Sequence, residues 1–190
     1  DPRASAWLRV TALEAAIACG DESAVKECAS QLIKAAGDVH EELASQLAAR
    51  LFPAHLTVDE LIQIVKLCRP ISANTVGGFA YKLDELSAAC RTQNERIALA
   101  GHFAELVLRH APADDDAPLP KRRQKVAENL VPIVSSLLGS LPVNDVPAEV
   151  VQALRAIDRA DFYHRHDDLP KLIECVGKRP MLKRALLWTS

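Results

Sequence analysis

The sequence predicts an all-α protein. Apolar residues recur at helical spacing almost everywhere, the breaks between these stretches are short and rich in helix-capping residues, and only 4% of the chain is aromatic while just 7 residues are Gly. Ala and Leu recur throughout, a balance that favours packed helices over strands. At 190 residues, 49% of them hydrophobic, the chain is long enough for one or two domains with a substantial core.

Each helix can be justified in turn. Residues 4–19 carry Trp7, Leu8, Val10, Leu13 and Ile17 and then meet Gly20-Asp21; residues 22–36 carry Val25, Cys28, Leu32 and Ile33 and then meet Gly37-Asp38. Gly suits the left-handed position that closes a helix, and Asp suits the N-cap of the next. Asp38 and Glu41 have capping-box spacing and are expected to open a helix with Leu43, Leu47 and Leu51 on one face. Pro53 cannot supply a backbone N–H and should end it. In "LFPAHLTVDEL", Thr57 and Glu60 make a second capping box, and Leu56 and Leu61 have the spacing of a hydrophobic staple. The helix they start carries Ile64, Val65 and Cys68, and His55 is expected to bond a helix end at this corner.

"RPISANTVGG" interrupts the pattern at 69–78. A helix with Phe79, Leu83, Leu86 and Cys90 should follow, with Gly77 and Gly78 allowing a tight bend and Phe79 and Tyr81 packing beneath. Thr92 and Glu95 form a third capping box, ahead of Ile97, Leu99, Phe103, Leu106 and Val107. The stretch "APADDDAPLP" at 111–120, with three prolines and three adjacent acids, reads as a linker. Beyond it the spacing predicts helices over about 121–140, 147–161, 168–177 and 180–188, with a Pro-flanked turn "LPVNDVP" after the first.

Taken in twos, these segments make about five antiparallel helix pairs, and pair starts near 4, 39 and 76 give a spacing of roughly 35–40 residues. The expected architecture is an irregular, HEAT-like α-solenoid, with a compact α-bundle as the alternative. The expected organisation is a helical array over 1–110, a linker over 111–120 and a continuing helical region over 121–190. A chain that opens at Asp1-Pro2 without Met and stops at "ALLWTS" reads as a segment of a longer protein.

Charge and cysteines narrow the function classes. A formal net charge of −2 gives no global attraction to nucleic acid or anionic lipid. The five cysteines, Cys19, Cys28, Cys68, Cys90 and Cys175, are scattered with no C-x-x-C, which points to reduced core thiols and a cytoplasmic setting. No signal peptide is recognisable, and the longest uncharged run, 129–143, is too short to span a bilayer and is interrupted by Pro132 and Pro142.

Catalytic and ligand motifs are incomplete. "VGGFAYKL" at 76–83 has Gly77, Gly78 and Lys82, but neither the second Gly beside the Lys nor the following Ser or Thr of a phosphate-binding loop. "VHEELA" starts like a zincin helix, yet Ala44 stands where the second His belongs. "DFYHRHDDL" gathers Asp161, His164, His166, Asp167 and Asp168, which could hold a metal if the segment were an irregular loop; a polar corner with Asp168 capping the next helix is the favoured reading. Ser135, Ser136 and Ser140 lie in an apolar helix rather than at a nucleophile elbow, and His102 and His110 are two turns apart around Glu105. The basic run "KRRQK", with Lys121, Arg122, Arg123 and Lys125, could bind phosphates, but it follows three Asp and has no interleaved aromatics.

Leu51, Phe52, Pro53, His55, Leu56, Thr57, Glu60 and Leu61, followed some twenty residues later by Gly77, Gly78, Phe79 and Tyr81, resemble the helical region that follows the nucleotide-binding module of bacterial NACHT-type STAND NTPases. The resemblance covers about residues 1–110 and rests on structural corners. It implies a HEAT-like helical array acting as sensor or scaffold in antiphage or stress signalling, with the ATPase and effector outside these residues.

The expected function is therefore a non-catalytic helical-repeat segment for protein–protein recognition, with no cofactor and no metal. Two alternatives stand beside it: a nucleic-acid-binding helical domain using Lys121–Lys125, and an enzyme with a site near His164 and His166. Surface candidates are Gly77, Gly78, Tyr81, Lys121, Arg122, Arg123, His164 and His166.

Overall fold

The computed structural model describes residues 5–69, 76–109, 119–160 and 167–187. It is all-helical: ten α-helices and no strand occur among the described residues, apart from an isolated backbone bridge between His40 and Arg69. The chain divides into two compact units, Asp1–Arg91 and Thr92–Ser190. Compactness thus changes hands at Arg91/Thr92, whereas the sequence suggested 111–120; residues 111–118 of that stretch lie outside the described residues.

The first unit contains α1 (Ala6–Cys19), α2 (Glu22–Lys34), α3 (Glu41–Leu51), α4 (Val58–Leu67) and α5 (Phe79–Ala89). Its hub is α3, which packs against each of the other four. Leu43, Leu47 and Leu51 are buried as the periodicity predicts, and Ala44 and Ala48 let neighbouring helices approach closely. The α1–α2 corner follows local sequence. Gly20 adopts φ 70° at the end of α1, Asp21 N–H reaches back to Ala16 O at 2.9 Å, and the Asp21 carboxylate accepts from Ala24 N at 3.0 Å.

The next corner departs from expectation. The helix α2 closes at Lys34, with Ala35 as its cap, and Gly37 lies within a 3-10 turn, Ala36–Asp38, without a left-handed backbone. Asp38 does not cap α3. The Glu41 N–H that it would have bonded goes instead to Arg69 O at 2.9 Å, while Arg69 Nη2 holds Asp38 at 3.1 Å and Arg69 Nε donates to Gly37 O at 3.2 Å. A residue after α4, far off in sequence, supplies the backbone bond that a local cap would have made.

Glu41 is freed for a different task. Its side chain is fully buried, and Oε1 accepts from Phe79 N at 3.3 Å while Glu42 Oε2 accepts from Gly78 N at 2.9 Å. Two carboxylates at the start of α3 therefore close the N-terminus of α5. Gly78 makes this possible: it adopts φ 56° and ψ −132°, and a Cβ there would fall 2.7 Å from Glu41 Cγ. Behind it Phe79, Leu83, Leu86 and Cys90 are buried on one face. Tyr81, expected to pack beneath, is 61% exposed, because a residue two positions from Phe79 and from Leu83 projects from the opposite side of the helix. Similarly Trp7 (71% exposed), Leu8 and Ile17 are outside the core that the spacing suggested for them: α1 packs on α2 and α3 and, among the described residues, buries Val10 and Leu13.

The second unit contains α6 (Gln93–Leu108), α7 (Lys121–Ser140), α8 (Ala148–Arg159), α9 (Leu169–Gly177) and α10 (Pro180–Leu187). The Thr92–Glu95 capping box starts α6. There Gly101 admits the first turn of α8: a Cβ at this position would lie 2.6 Å from Glu149 Cβ. The helix α7 packs on α6, α8 and α9 and runs through Pro132 without interruption. Arg179, 5% exposed, lies in the junction after α9. Its guanidinium donates to Cys175 O at 2.8 Å, to Leu141 O at 2.9 Å and to Leu138 O, so one cation closes the carbonyl ends of α7 and α9.

Two substitutions probe these ties. Gly78→Ala should lower stability by about 3 kcal/mol through backbone strain and overlap with Glu41. Arg179→Lys should cost about 2 kcal/mol, because an ammonium cannot spread over carbonyls of two helix ends. Urea unfolding followed by circular dichroism reads both; a loss below half a kcal/mol in either would show that tie to be dispensable.

Candidate functional site

The corner that starts α4 also builds a concave feature of the first unit. Leu51 ends α3, the Phe52–Pro53 peptide is cis, and the chain turns so that His55 N–H donates to Leu51 O at 2.8 Å. The backbone of His55, rather than its imidazole, bonds the helix end. Arg91 Nη2 donates to Pro53 O at 2.7 Å and braces the turn from outside. The Thr57–Glu60 box closes α4: Glu60 N donates to Thr57 Oγ1 at 3.3 Å, and Thr57 N and Oγ1 donate to Glu60 Oε2 at 2.8 and 2.9 Å. Leu56 and Leu61 are both buried, as the staple spacing requires.

Between this corner and the outer face of α2 runs an open groove of about 560 Å³. Its floor is apolar, from Ala29 and Ile33 of α2 and Leu56 and Pro53 of the corner. Its sides carry Lys26, Lys34, His55 and Arg91 against one acid, Glu60, whose carboxylate is engaged by Thr57. Lys26 also forms an exposed pair with Glu22 at 3.7 Å, of a kind worth at most about 1 kcal/mol. This is a size and character suited to holding part of a partner: a mostly apolar bed with a few directing polar groups.

Sequence reasoning found Pro53, His55, Leu56, Thr57, Glu60 and Leu61 as a structural corner and missed Lys26, Lys34 and Arg91. The available signal was on α2, where Lys26 and Lys34 bracket Ala29, Ser30 and Ile33 along one helical stripe. Arg91 carried no such signal, since it reaches the site only through the fold.

The other candidates fall elsewhere. Gly77 and Gly78 do not offer their helix start to a phosphate, because the N–H groups of Gly78 and Phe79 already serve Glu42 and Glu41. Tyr81 flanks a smaller polar hollow of about 230 Å³ with Arg50 and Lys82. There Arg50 is held by Glu14 at 2.9 Å and lies 3.7 Å from Glu85, which takes Lys82 at 2.7 Å. In the second unit Lys121 is exposed, but Arg122, Arg123 and Lys125 are half-buried and Lys125 pairs with Glu128 at 3.2 Å. Burial, and then the charge of Arg122, lower the pKa of Arg123 from its ordinary value.

His164 and His166, with Asp161 and His110, lie outside the described residues. Asp168 stands at the N-cap position of α9 without a side-chain bond to its first turn, contrary to the expected cap. Among the described residues no group of three or more His, Cys, Asp and Glu is placed to hold a metal. All five cysteines are free. Only Cys68 and Cys90 are core thiols, each donating to a helix carbonyl at 3.5 Å; Cys28 and Cys175 are half-buried and Cys19 is exposed. Burial raises the Cys28 thiol pKa, with Arg9 opposing, so this thiol stays protonated at neutral pH.

Ser135 is buried in α7, and its Oγ has no hydrogen-bond partner among the described residues. His102 is buried in α6 with Nδ1 3.6 Å from Glu105, which also takes Arg109. Among the described residues no helix is long and apolar enough to cross a membrane. Comparison with known protein families, with curated proteins and with solved structures finds no match for this chain.

The groove's shape depends on the α4 cap. Thr57→Ala should cost about 1 kcal/mol, and Thr57→Ser should retain most of it, because Ser keeps the oxygen that accepts from Glu60 N. Equal destabilisation by both, measured by urea unfolding, would place the cost in the lost methyl group instead of the capping bond.

Proposed function

We propose that this chain is a non-catalytic helical-repeat segment that recognises another protein, and that the groove beside the Thr57 corner is its contact site. The observation that carries this reading is the groove itself, an open apolar bed between α2 and the α3–α4 corner with cations along its sides. Recognition is favoured over turnover by the chemistry of the groove: its cations are two lysines and the Pro53-bound Arg91, and its one carboxylate serves the helix cap. The likeness of residues 51–61 and 77–81 to NACHT-type STAND NTPase helical regions extends the proposal to a sensor or scaffold role in bacterial signalling or antiphage defence, in the cytoplasm. The nucleic-acid alternative through Lys121–Lys125 has less support, since Lys125 is paired and Arg122, Arg123 and Lys125 are half-buried.

A photo-crosslinking residue placed at Ala54, exposed at the groove, and separately at Leu67, exposed on α4, tests the reading in the chain's own cells. A discrete protein adduct at Ala54 and not at Leu67 is expected. No protein adduct at Ala54, or the same adducts at both sites, would overturn it.

A further inference from the structure

We propose that the groove takes an extended acidic peptide of pattern acid-x-apolar-x-acid, its two carboxylates meeting Lys26 and Lys34 and its central apolar side chain resting on the floor at Ala29 and Leu56. This rests on the recognition reading of the same groove and names the chemistry of the partner. The spacing follows from helix geometry. Lys26 and Lys34 both line the groove and are eight residues apart on α2, about 12 Å along the axis at 1.5 Å per residue. An extended chain advances about 3.3 Å per residue and turns alternate side chains to the same side, so positions i, i+2 and i+4 share one face and span about 13 Å. Carboxylates at i and i+4 therefore match the two lysines, and the side chain at i+2 falls between them over Ala29, the apolar groove residue of α2 nearest the midpoint.

Charge and cap chemistry select the ligand class. Lys26, Lys34 and Arg91 outnumber Glu60 in the groove, and His55 adds an imidazole that is half-buried and has no side-chain hydrogen bond among the described residues. A compact phosphate would need donors converging on one point. Here the lysines are spread along the groove, and the nearest helix start, that of α4, is closed by the Glu60 carboxylate. A nucleic acid strand would use stacking rings, and no Phe, Tyr or Trp lines the groove among the described residues. The backbone of an extended peptide instead has the Ser30 hydroxyl available along the wall.

Fluorescence anisotropy of a labelled Glu-x-Leu-x-Glu peptide titrated with the full chain tests this. The Lys26→Glu/Lys34→Glu protein should bind about tenfold more weakly, and a Lys-x-Leu-x-Lys peptide should recover binding to that reversed protein. Moving the second acid from i+4 to i+3 should weaken binding to the unaltered protein about fivefold, because it turns one carboxylate away. Both lysines are outside the core, so thermal melting should show the reversed protein folded. Equal affinity across the spacing variants, indifference to charge reversal, or tighter groove binding by a single-stranded oligonucleotide would each overturn the proposal. If Ala54 crosslinks a protein while the acidic peptides fail, recognition stands and the motif falls. If the peptides bind as described and Ala54 crosslinks nothing, the motif stands and the cellular role falls.

Discussion

Two carboxylates at the start of α3 hold the start of α5, and the first unit is organised around that contact. A helix N-terminus presents unbonded N–H groups and a partial positive charge, so a buried one needs an anionic or polar acceptor. Glu41 and Glu42 provide it from the neighbouring helix, with Glu41 fully buried. The contact works only because Gly78 has no side chain and can take a backbone conformation closed to other residues. It anchors α5 to α3, the helix against which the other four α-helices of the unit pack.

The second unit meets the opposite end of the same problem. Helix C-termini present carbonyls and partial negative charge, and Arg179 answers two of them at once with a guanidinium almost wholly out of water. Burying such a cation is costly unless its donors are matched. Here carbonyls at the ends of α7 and α9 accept three hydrogen bonds from its five N–H donors, leaving Nε without a partner among the described residues. Each unit thus ties helix ends together with a charged side chain from a different element, and each tie carries orientation as well as energy.

The groove is a by-product of the same economy of helix ends. Thr57 and Glu60 satisfy α4 locally, and Arg91 satisfies Pro53 O from the far end of α5. The chain between α3 and α4 is consequently held as a firm corner whose outer side faces α2. Local capping sets the wall of the site, and the lysines of α2 set its charge.

The capping boxes at Thr57 and Thr92 and the Gly20-Asp21 corner were legible in the sequence because each depends on residues three or four positions apart, whose geometry the helix itself dictates. Apolar periodicity likewise placed Leu43, Leu47, Leu51, Phe79, Leu83 and Leu86 in the core. Asp38 obeyed the same local rule and still failed, because Arg69, some thirty residues away, competed for its groups and supplied the backbone bond in its place. Trp7 and Tyr81 were misplaced for a related reason: periodicity says that a helix has an apolar face, and packing decides whether anything covers it. The burial of Glu41, the double cap by Arg179 and the meeting of Lys26, Lys34, His55 and Arg91 in one groove were decided only by tertiary structure, since each joins groups dozens of residues apart that no local spacing relates.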